Sequence, residues 1–369
     1  MSDAASVIDA PALGDFTAER FARHLAELHH APEWWIERKR AAYEKFSSLP
    51  LPRRTDEAWR FSTISGLSLA APETAPATAQ PSPGPLLPEV AATARLSFVG
   101  NRLQHSTGLP AEWVAKGVVV TSLSDAARQD RDLLEAHFMA QAQRLGSDKF
   151  AALHAAFLGD GAFVYVPRGV ELPDPIVVAH VAGGQAAFPH TLVVLEDNAS
   201  ATVIDLFGGE APLGIGANDL YVGHGARLSY VGVQHWGADT LSFQLNSTVV
   251  RRDARVQSLN LHLGGRQSRH ESLSQLQAPG AFSEMLALTV AKGRQEFDQR
   301  TLQVHQAPNT KSDLLYKNAL LDSAKTIFSG LIIVDPDAQR TDAYQSNRNL
   351  ILSENAEANS LPGLEIQAN

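Results

Sequence analysis

The sequence contains no cysteine, and this absence removes several classes of chemistry. Disulfide bonds, nucleophilic thiols, cysteine-ligated zinc and an iron–sulfur cluster held by the chain's own thiolates are all excluded. Uninterrupted apolar runs of about 18 residues are also missing, so no transmembrane helix is expected. The first residues, "MSDAASVIDAPALGDF", lack a basic stretch followed by an apolar one, which argues against a signal peptide and favours the cytoplasm.

The chain also has fewer basic than acidic residues. The chain has 31 Lys and Arg against 40 Asp and Glu, which gives a net charge of −9 and disfavours non-specific binding to nucleic acid. Neither a phosphate-binding G-x-x-x-x-G-K-[ST] loop nor a G-x-S-x-G nucleophile elbow occurs. These absences disfavour a P-loop ATPase and a serine hydrolase.

The residues that are present divide the chain into four regions. Residues 1–69 have helical periodicity, with Thr17 as a predicted N-cap and a second helix predicted from Pro32 to Phe46. Residues 70–88 hold six prolines and predict a linker. Residues 89–160 predict a short α/β portion, which includes a helix over 128–146 and a helix with Ser147 as its N-cap. Residues 161–369 predict short strands in succession.

These strands are separated by turns that recur at a fixed spacing. A polar turn followed by alanine occurs at Ala199, Ala226, Ala254 and Ala281, which gives steps of 27, 28 and 27 residues. A constant period without strong identity is typical of a solenoid, so we expect a parallel β-helix, with a β-sandwich as the alternative. In "SLNLHLGG" the alternation predicts that Leu259, Leu261 and Leu263 face the core and His262 faces solvent.

No catalytic, metal-binding or cofactor-binding residue emerges from this pattern. His262 and His305 are expected on the polar outer face, and Asp298, Asp313 and Asp342 are predicted near strand centres without a shared register. The five other acids considered are predicted at turns: Asp197, Asp253, Asp322, Asp335 and Asp337. Arg266 and Arg269 lie in a loop that could bind an anion but is more often simply solvated. The chemistry favours a scaffold or partner-binding role.

Several longer stretches resemble the SufB/SufD family of iron–sulfur cluster assembly proteins, and the chain is most like its SufD members. The matching stretches are "RRTDEAWRFSTIS" (53–65), "ALHAAFLGDGAFVYVPRGVELPDPI" (152–176) and "HQAPNTKSDLLYKNALLDSAKTIFSGLIIVDPDAQRTDAYQSNRNLILSENAEANSLPGLEI" (305–366). The resemblance implies an N-terminal helical domain, a right-handed parallel β-helix and a C-terminal helical domain. The last of these would follow Asn369, so we expect the chain to be a shortened version.

The resemblance also implies a non-catalytic subunit that pairs with a SufB-like scaffold protein and a SufC-like ATPase. Because the chain lacks thiolates, a cluster would reside transiently on the complex, and no cofactor is expected on this chain alone. We expect the missing segment to carry the ATPase docking helices.

We expect the partner surface to lie at the end of the solenoid. Its predicted residues are Leu350, Leu352, Leu361, Leu364, Glu365 and Ile366. The alternatives are a polysaccharide-processing β-helix enzyme, which needs paired carboxylates, and a homodimer through open edges.

Overall fold

The computed structural model describes residues 13–73 and 90–368. Residues 74–88, most of the predicted linker, lie outside the described residues. The helices are α1 (Ala18–Glu27), α2 (Glu33–Ser48), α3 (Ala111–Ala115), α4 (Leu123–Gln129), α5 (Arg131–His137) and α6 (Asp148–Phe157), and a 3-10 turn spans Glu57–Trp59. In this part of the chain no helix is both long and apolar enough to cross a membrane.

The described strands form two nine-stranded sheets. Sheet 1 contains β1 (Ala94–Val99), β2 (Arg102–Ser106), β5 (Ile176–Val181), β7 (Ser200–Gly209), β9 (Arg227–Trp236), β11 (Arg255–His262), β13 (Phe282–Ala291), β15 (Lys311–Leu320) and β17 (Asp342–Ile351). Sheet 2 contains β3 (Val119–Ser122), β4 (Ala162–Val166), β6 (His190–Leu195), β8 (Leu213–Val222), β10 (Leu241–Val250), β12 (Gln267–Leu276), β14 (Glu296–His305), β16 (Lys325–Val334) and β18 (Glu357–Ile366).

The connectivity of these strands is that of a solenoid. From β5 onward each strand lies in the sheet opposite to its predecessor and pairs in parallel with the strand two further along the chain. Ser200 pairs with Arg227, Arg227 with Arg255, and Arg255 with Phe282, so the coil repeat is 27 or 28 residues here, as the turns predicted. A sandwich would be built from antiparallel neighbours. The predicted β-helix is therefore confirmed, with seven coils from β5–β6 to β17–β18.

The alanine repeat has a steric origin at the corners of the coil. Asn198 and Asp253 have φ angles of 57° and 56°, and glycine takes the same left-handed position at Gly225 and Gly280. Gly, Asn and Asp tolerate this conformation best. The alanine that follows each of them is at most 1% exposed, because a larger side chain would not fit where the chain turns into the next strand.

The N-terminal helices pack on the outer face of sheet 2. Thr17 caps α1 by accepting a hydrogen bond from the Arg20 amide, as predicted. The ring of Phe150 in α6 stacks on Phe243 of β10 with centroids 3.7 Å apart. The helix predicted over residues 128–146 is wrong in its second half: α5 ends at His137, and Met139 has a φ angle of 45°, outside the helical region.

The predicted orientation of β11 is also wrong. Asn260 and His262 are 8% and 2% exposed and face the interior, whereas Leu259 and Leu261 are only half-buried on the outer face of sheet 1. Alternation correctly separated the two faces of the strand, but polarity did not indicate which face is inside. The reason is that the interior of the middle coils is itself polar.

Candidate functional site

The predicted partner surface lies on the last coil and is largely exposed. Leu350, Leu352, Leu364 and Ile366 are 58%, 54%, 60% and 62% exposed. The strand register divides the surface into two parts. Leu364 and Ile366 pair with the buried Ile332 and Val334, so they continue the interior row at the end of the stack.

Three of the four remaining predicted residues face outward, and the fourth, Leu352, follows the end of β17. Leu350 pairs with Ala319 on sheet 1, and Leu361 and Glu365 alternate with the interior row of β18, so all three lie on outer faces. The prediction missed Ile351, which pairs with the buried Leu320 and is 49% exposed. Period-2 alternation along β17 could have separated Ile351 from Leu350.

A row of polar side chains runs through the interior to this coil. Gln234, His262, Thr289, Asn318 and Asn349 occupy equivalent positions on successive strands of sheet 1. Two of the four neighbouring pairs are hydrogen-bonded directly: Thr289 lies 3.1 Å from His262 Nδ1, and the Asn318 amide donates to Asn349 at 2.7 Å. We call these five residues the interior polar row. It ends at Asn349, which is exposed.

Two histidines stack inside the coil next to this row. The rings of His262 and His270 lie 3.6 Å apart at an interplanar angle of 19°. Burial lowers the pKa of His262 well below its usual value and that of His270 to about 3, so both are neutral at physiological pH. His305, also predicted on the outside, is fully buried and bonded to Thr310 and Ser312 at 2.8 and 2.9 Å. His262 and His305 were both predicted on the outer face because they are polar, and the polar interior explains why both lie inside.

The acids do not assemble into a catalytic pair. Asp298 is buried, whereas Asp313 is half-buried and Asp342 is exposed at the start of β17, where it pairs with Lys311 at 2.8 Å. The turn positions predicted for the five other acids are confirmed. Within residues 13–73 and 90–368, no three His, Asp or Glu side chains converge as a metal site.

Arg269 is neither solvated nor free to bind an anion. Its guanidinium bonds Glu271 at 2.6 Å and Asp298 at 2.5 Å, and Arg300 bonds the other oxygen of Asp298 at 2.6 Å. The remaining donors of Arg269 reach the carbonyls of Ala58 and Leu145 at 3.0 and 2.7 Å. This buried cluster therefore attaches the 3-10 turn region to the outer face of sheet 2.

The arginines of this cluster also control the ionisation of Asp298. Burial alone would raise the pKa of Asp298, but the charges of Arg269 and Arg300 outweigh it and hold the pKa below the usual value. Ser147, correctly placed at the start of α6, makes no N-cap bond and donates to Glu271 at 2.6 Å instead. Exposed Arg266 donates only weakly to the Gly66 carbonyl, at 3.4 Å.

Asp205 is a buried carboxyl without a matching charge. One oxygen accepts a bond from the Tyr230 hydroxyl at 2.9 Å, and the other has no hydrogen-bond partner in the described structure; His180 lies 3.8 Å away. Burial raises the pKa of Asp205 to about 7. The folded protein therefore retains a proton on Asp205 over a pH range in which the unfolded chain has released it.

We expect this proton to make stability fall as pH rises. The folded pKa is raised, so the contribution is present below the unfolded pKa of about 4 and is lost as pH rises to about 7. Between pH 5 and 8, wild type should lose about 3 kcal/mol more unfolding free energy than Asp205→Asn, on 1.36 kcal/mol per pKa unit. Urea unfolding at both pH values measures this, with exposed Asp239→Asn as the control. Equal losses in wild type and Asp205→Asn would refute the assignment.

Comparison with known proteins gives a consistent result. The family profile described as "SUF system FeS cluster assembly, SufBD core domain" matches residues 178–369, and "SufBD protein N-terminal region" matches residues 89–178. An iron–sulfur cluster assembly SufBD family protein of Synechocystis is 27% identical over 356 residues, which cover 90% of this chain and 77% of that protein. The iron–sulfur cluster assembly protein SufD of Bacillus subtilis is 26% identical over 367 residues, covering 94% of this chain and 82% of the relative. A SufBD family protein of Mycobacterium bovis is 31% identical over 233 residues, or 60% of this chain and 58% of that protein.

Proposed function

Because the chain belongs to the SufBD family of iron–sulfur cluster assembly proteins, we propose that it is a non-catalytic scaffold subunit of a SUF-type assembly complex. In this proposal it works in the cytoplasm and pairs with a SufB-like scaffold protein and a SufC-like ATPase. The observation that carries the proposal is the family match over most of the chain.

The side-chain chemistry supports a subunit that does not hold the cluster by itself. Protein-bound clusters are ligated chiefly by cysteine thiolates, and this chain contains none. A partner with its own thiolates would have to provide the primary ligands. We therefore propose that a cluster is present on the complex only transiently and that this chain alone binds no cofactor.

The last coil supports pairing at that end of the solenoid. Its strands β17 and β18 are the edge strands of the two sheets among the described residues, so their outer backbone groups can pair with another strand. The apolar side chains of Leu350, Leu364 and Ile366 are at least 58% exposed beside them. An extended strand of a SufB-like partner could satisfy both the backbone groups and the apolar surface.

Native mass spectrometry after co-expression with SufB-like and SufC-like proteins tests the pairing. We expect wild type to form a complex with the SufB-like protein and Leu364→Glu to lose it at least about tenfold, because a carboxylate cannot enter an apolar interface unpaired. Leu364 is 60% exposed, so the fold should survive. Gln367→Glu adds the same charge at an exposed neighbour and is the control.

The other results separate the competing functions. Failure of the folded wild type to associate with the SufB-like protein would contradict the pairing. Self-association of purified wild type that Leu364→Glu abolishes would favour a homodimer instead. Activity on acidic polysaccharides would favour a β-helix enzyme, although Asp298, Asp313 and Asp342 lie in separate environments.

A further inference from the structure

The two sheets differ in what covers their outer faces. On sheet 2, outward-facing Leu213, Ile215 and Phe243 are at most 1% exposed, because the N-terminal helices pack on them. On sheet 1, outward-facing side chains of β7 to β15 are mostly half-buried or exposed. Parallel sheets are normally covered on both faces, so a partly exposed apolar face is informative.

Aliphatic side chains line up on the outer face of sheet 1 in two adjacent rows. The first row contains Ile204, Val231, Leu259, Leu286 and Leu315, which pair in register on five successive strands. The second contains Leu206, Val233, Leu261 and Leu288, two residues further along the same strands. We call these nine residues the outer leucine face. Leu288 is its most exposed member, at 41%.

The dimensions of the face limit what can cover it. Five strands spaced about 4.8 Å apart span about 19 Å between the outermost strands, or about 24 Å with half a spacing added at each end; on the second basis the two rows, about 6.7 Å apart, cover about 13 Å. The resulting area of about 300 Å² is well below the roughly 800 Å² per partner of a standard interface, so it is too small to hold a second copy by itself. A single helix about 10 Å wide and about 13 residues long matches both dimensions.

Charged residues at the borders of the outer leucine face favour one orientation of a helix bound there. The second row continues from Leu288 to Lys317 and then Arg348, both exposed and without a recorded partner among the described residues. Glu284 and Asp313 border the first row on one long side. A helix would be complementary if its carboxyl end, or acidic residues there, lay over Lys317 and Arg348, with basic residues along the flank facing Glu284 and Asp313.

We propose that the outer leucine face binds one amphipathic α-helix of a protein partner, with the helix axis lying across the strands. Its apolar stripe contacts the two rows, its acidic carboxyl end contacts Lys317 and Arg348, and its basic flank contacts Glu284 and Asp313. This face lies on sheet 1, whereas Leu364 and Ile366 lie on sheet 2 at the end of the stack; among the residues that the helix contacts, only Arg348, on β17, belongs to the last coil.

Two synthetic helical peptides of about 14 residues test the proposal by fluorescence anisotropy on the full chain. Both carry the same leucine stripe; the first has lysines on one flank and glutamates in its last turn, and the second has these charges exchanged. We expect the first peptide to bind at least about tenfold more tightly, because only its charges match the borders. Leu288→Asp should weaken it at least about tenfold, whereas Gln306→Glu, at an exposed position after β14 and outside this face, should bind like wild type.

A second variant keeps the test independent of folding. Lys317→Glu/Arg348→Glu changes only exposed side chains and should reverse the preference between the two peptides. Equal binding of both peptides, or an unchanged preference in this variant, would overturn the proposal. Self-association that Leu288→Asp abolishes would also overturn the proposal, because the occupant would then be a second copy. Binding to anionic phosphatidylserine vesicles that Leu288→Asp abolishes would overturn it as well, because the occupant would then be a membrane.

Discussion

Replacing Arg269 by methionine should cost about 3–5 kcal/mol of unfolding free energy, the range found when one partner of a buried ion pair is removed. Arg269 is 3% exposed, and its loss leaves Glu271 and Asp298 buried with less compensation. The Trp59 ring, 3.9 Å from the guanidinium carbon, would also lose a cation–π contact. Urea unfolding measures the loss.

Hydrogen exchange locates this effect. Residues 56–68 should lose amide protection in Arg269→Met before the middle coils do, because Arg269 joins the Ala58 carbonyl to sheet 2. Arg266→Met, three residues earlier on the protein surface, should change stability by less than about 0.5 kcal/mol. Arg269→Met/Asp298→Asn should recover at least about 1 kcal/mol, since one of the uncompensated charges is then neutral. Equal stabilities of Arg269→Met and Arg266→Met would contradict the assignment.

Replacing Lys39 by methionine should remove a strong dependence of stability on pH. Lys39 is 2% exposed in α2, and its ammonium group donates to the Leu158 and Ala155 carbonyls at 2.5 and 3.4 Å, at the end of α6. No carboxylate pairs with it directly among the described residues. Burial therefore lowers the pKa of Lys39 to about 7, with the more distant charge of Asp160 opposing the change.

The lowered pKa of Lys39 sets the direction in which stability changes with pH. The unfolded chain retains the Lys39 proton up to about pH 10.4, whereas the folded protein releases it near pH 7, so stability rises with pH between these values. From pH 7 to 10 wild type should gain about 4 kcal/mol relative to Lys39→Met, on 1.36 kcal/mol per pKa unit. Denaturant unfolding across this range gives the difference between the two proteins. Lys45→Met, at an exposed position of the same helix, should parallel wild type. Parallel curves for wild type and Lys39→Met would show that the Lys39 ammonium remains charged.

The positions of several elements could be predicted from local chemistry. Thr17 precedes an apolar helical pattern and caps α1, and the spacing of Ala199, Ala226, Ala254 and Ala281 marks the corners of successive coils. These predictions succeeded because a cap and a left-handed turn depend on a few neighbouring residues. The helix predicted through residue 146 failed because its second half is held by contacts with sheet 2, including the Met139 amide and the Asp219 carboxylate at 2.7 Å.

The partner surface on the last coil stays a prediction. Its residues Leu350, Leu352, Leu364 and Ile366 are exposed, but Tyr344 and Ile351 of the same coil, 59% and 49% exposed, were not named. The division of this surface between an interior row and outer faces depends on pairing with β15 and β16. The cluster of Arg269, Glu271 and Asp298 could not be predicted, because it also requires Ala58, more than 200 positions earlier in the chain. No local pattern reports a contact of that separation.

By itself, the sequence determined the coil period, the corners, and the exclusion of thiol chemistry, since each depends on residue identity or on short-range backbone sterics. Only the tertiary structure decided which face of each strand points inward. His262 and Asn318 are polar yet interior because Thr289 and Asn349, at equivalent positions on the next coils, supply hydrogen-bond partners. Leu259 and Leu261 are apolar yet face outward because the pleat that turns His262 inward places them on the opposite face.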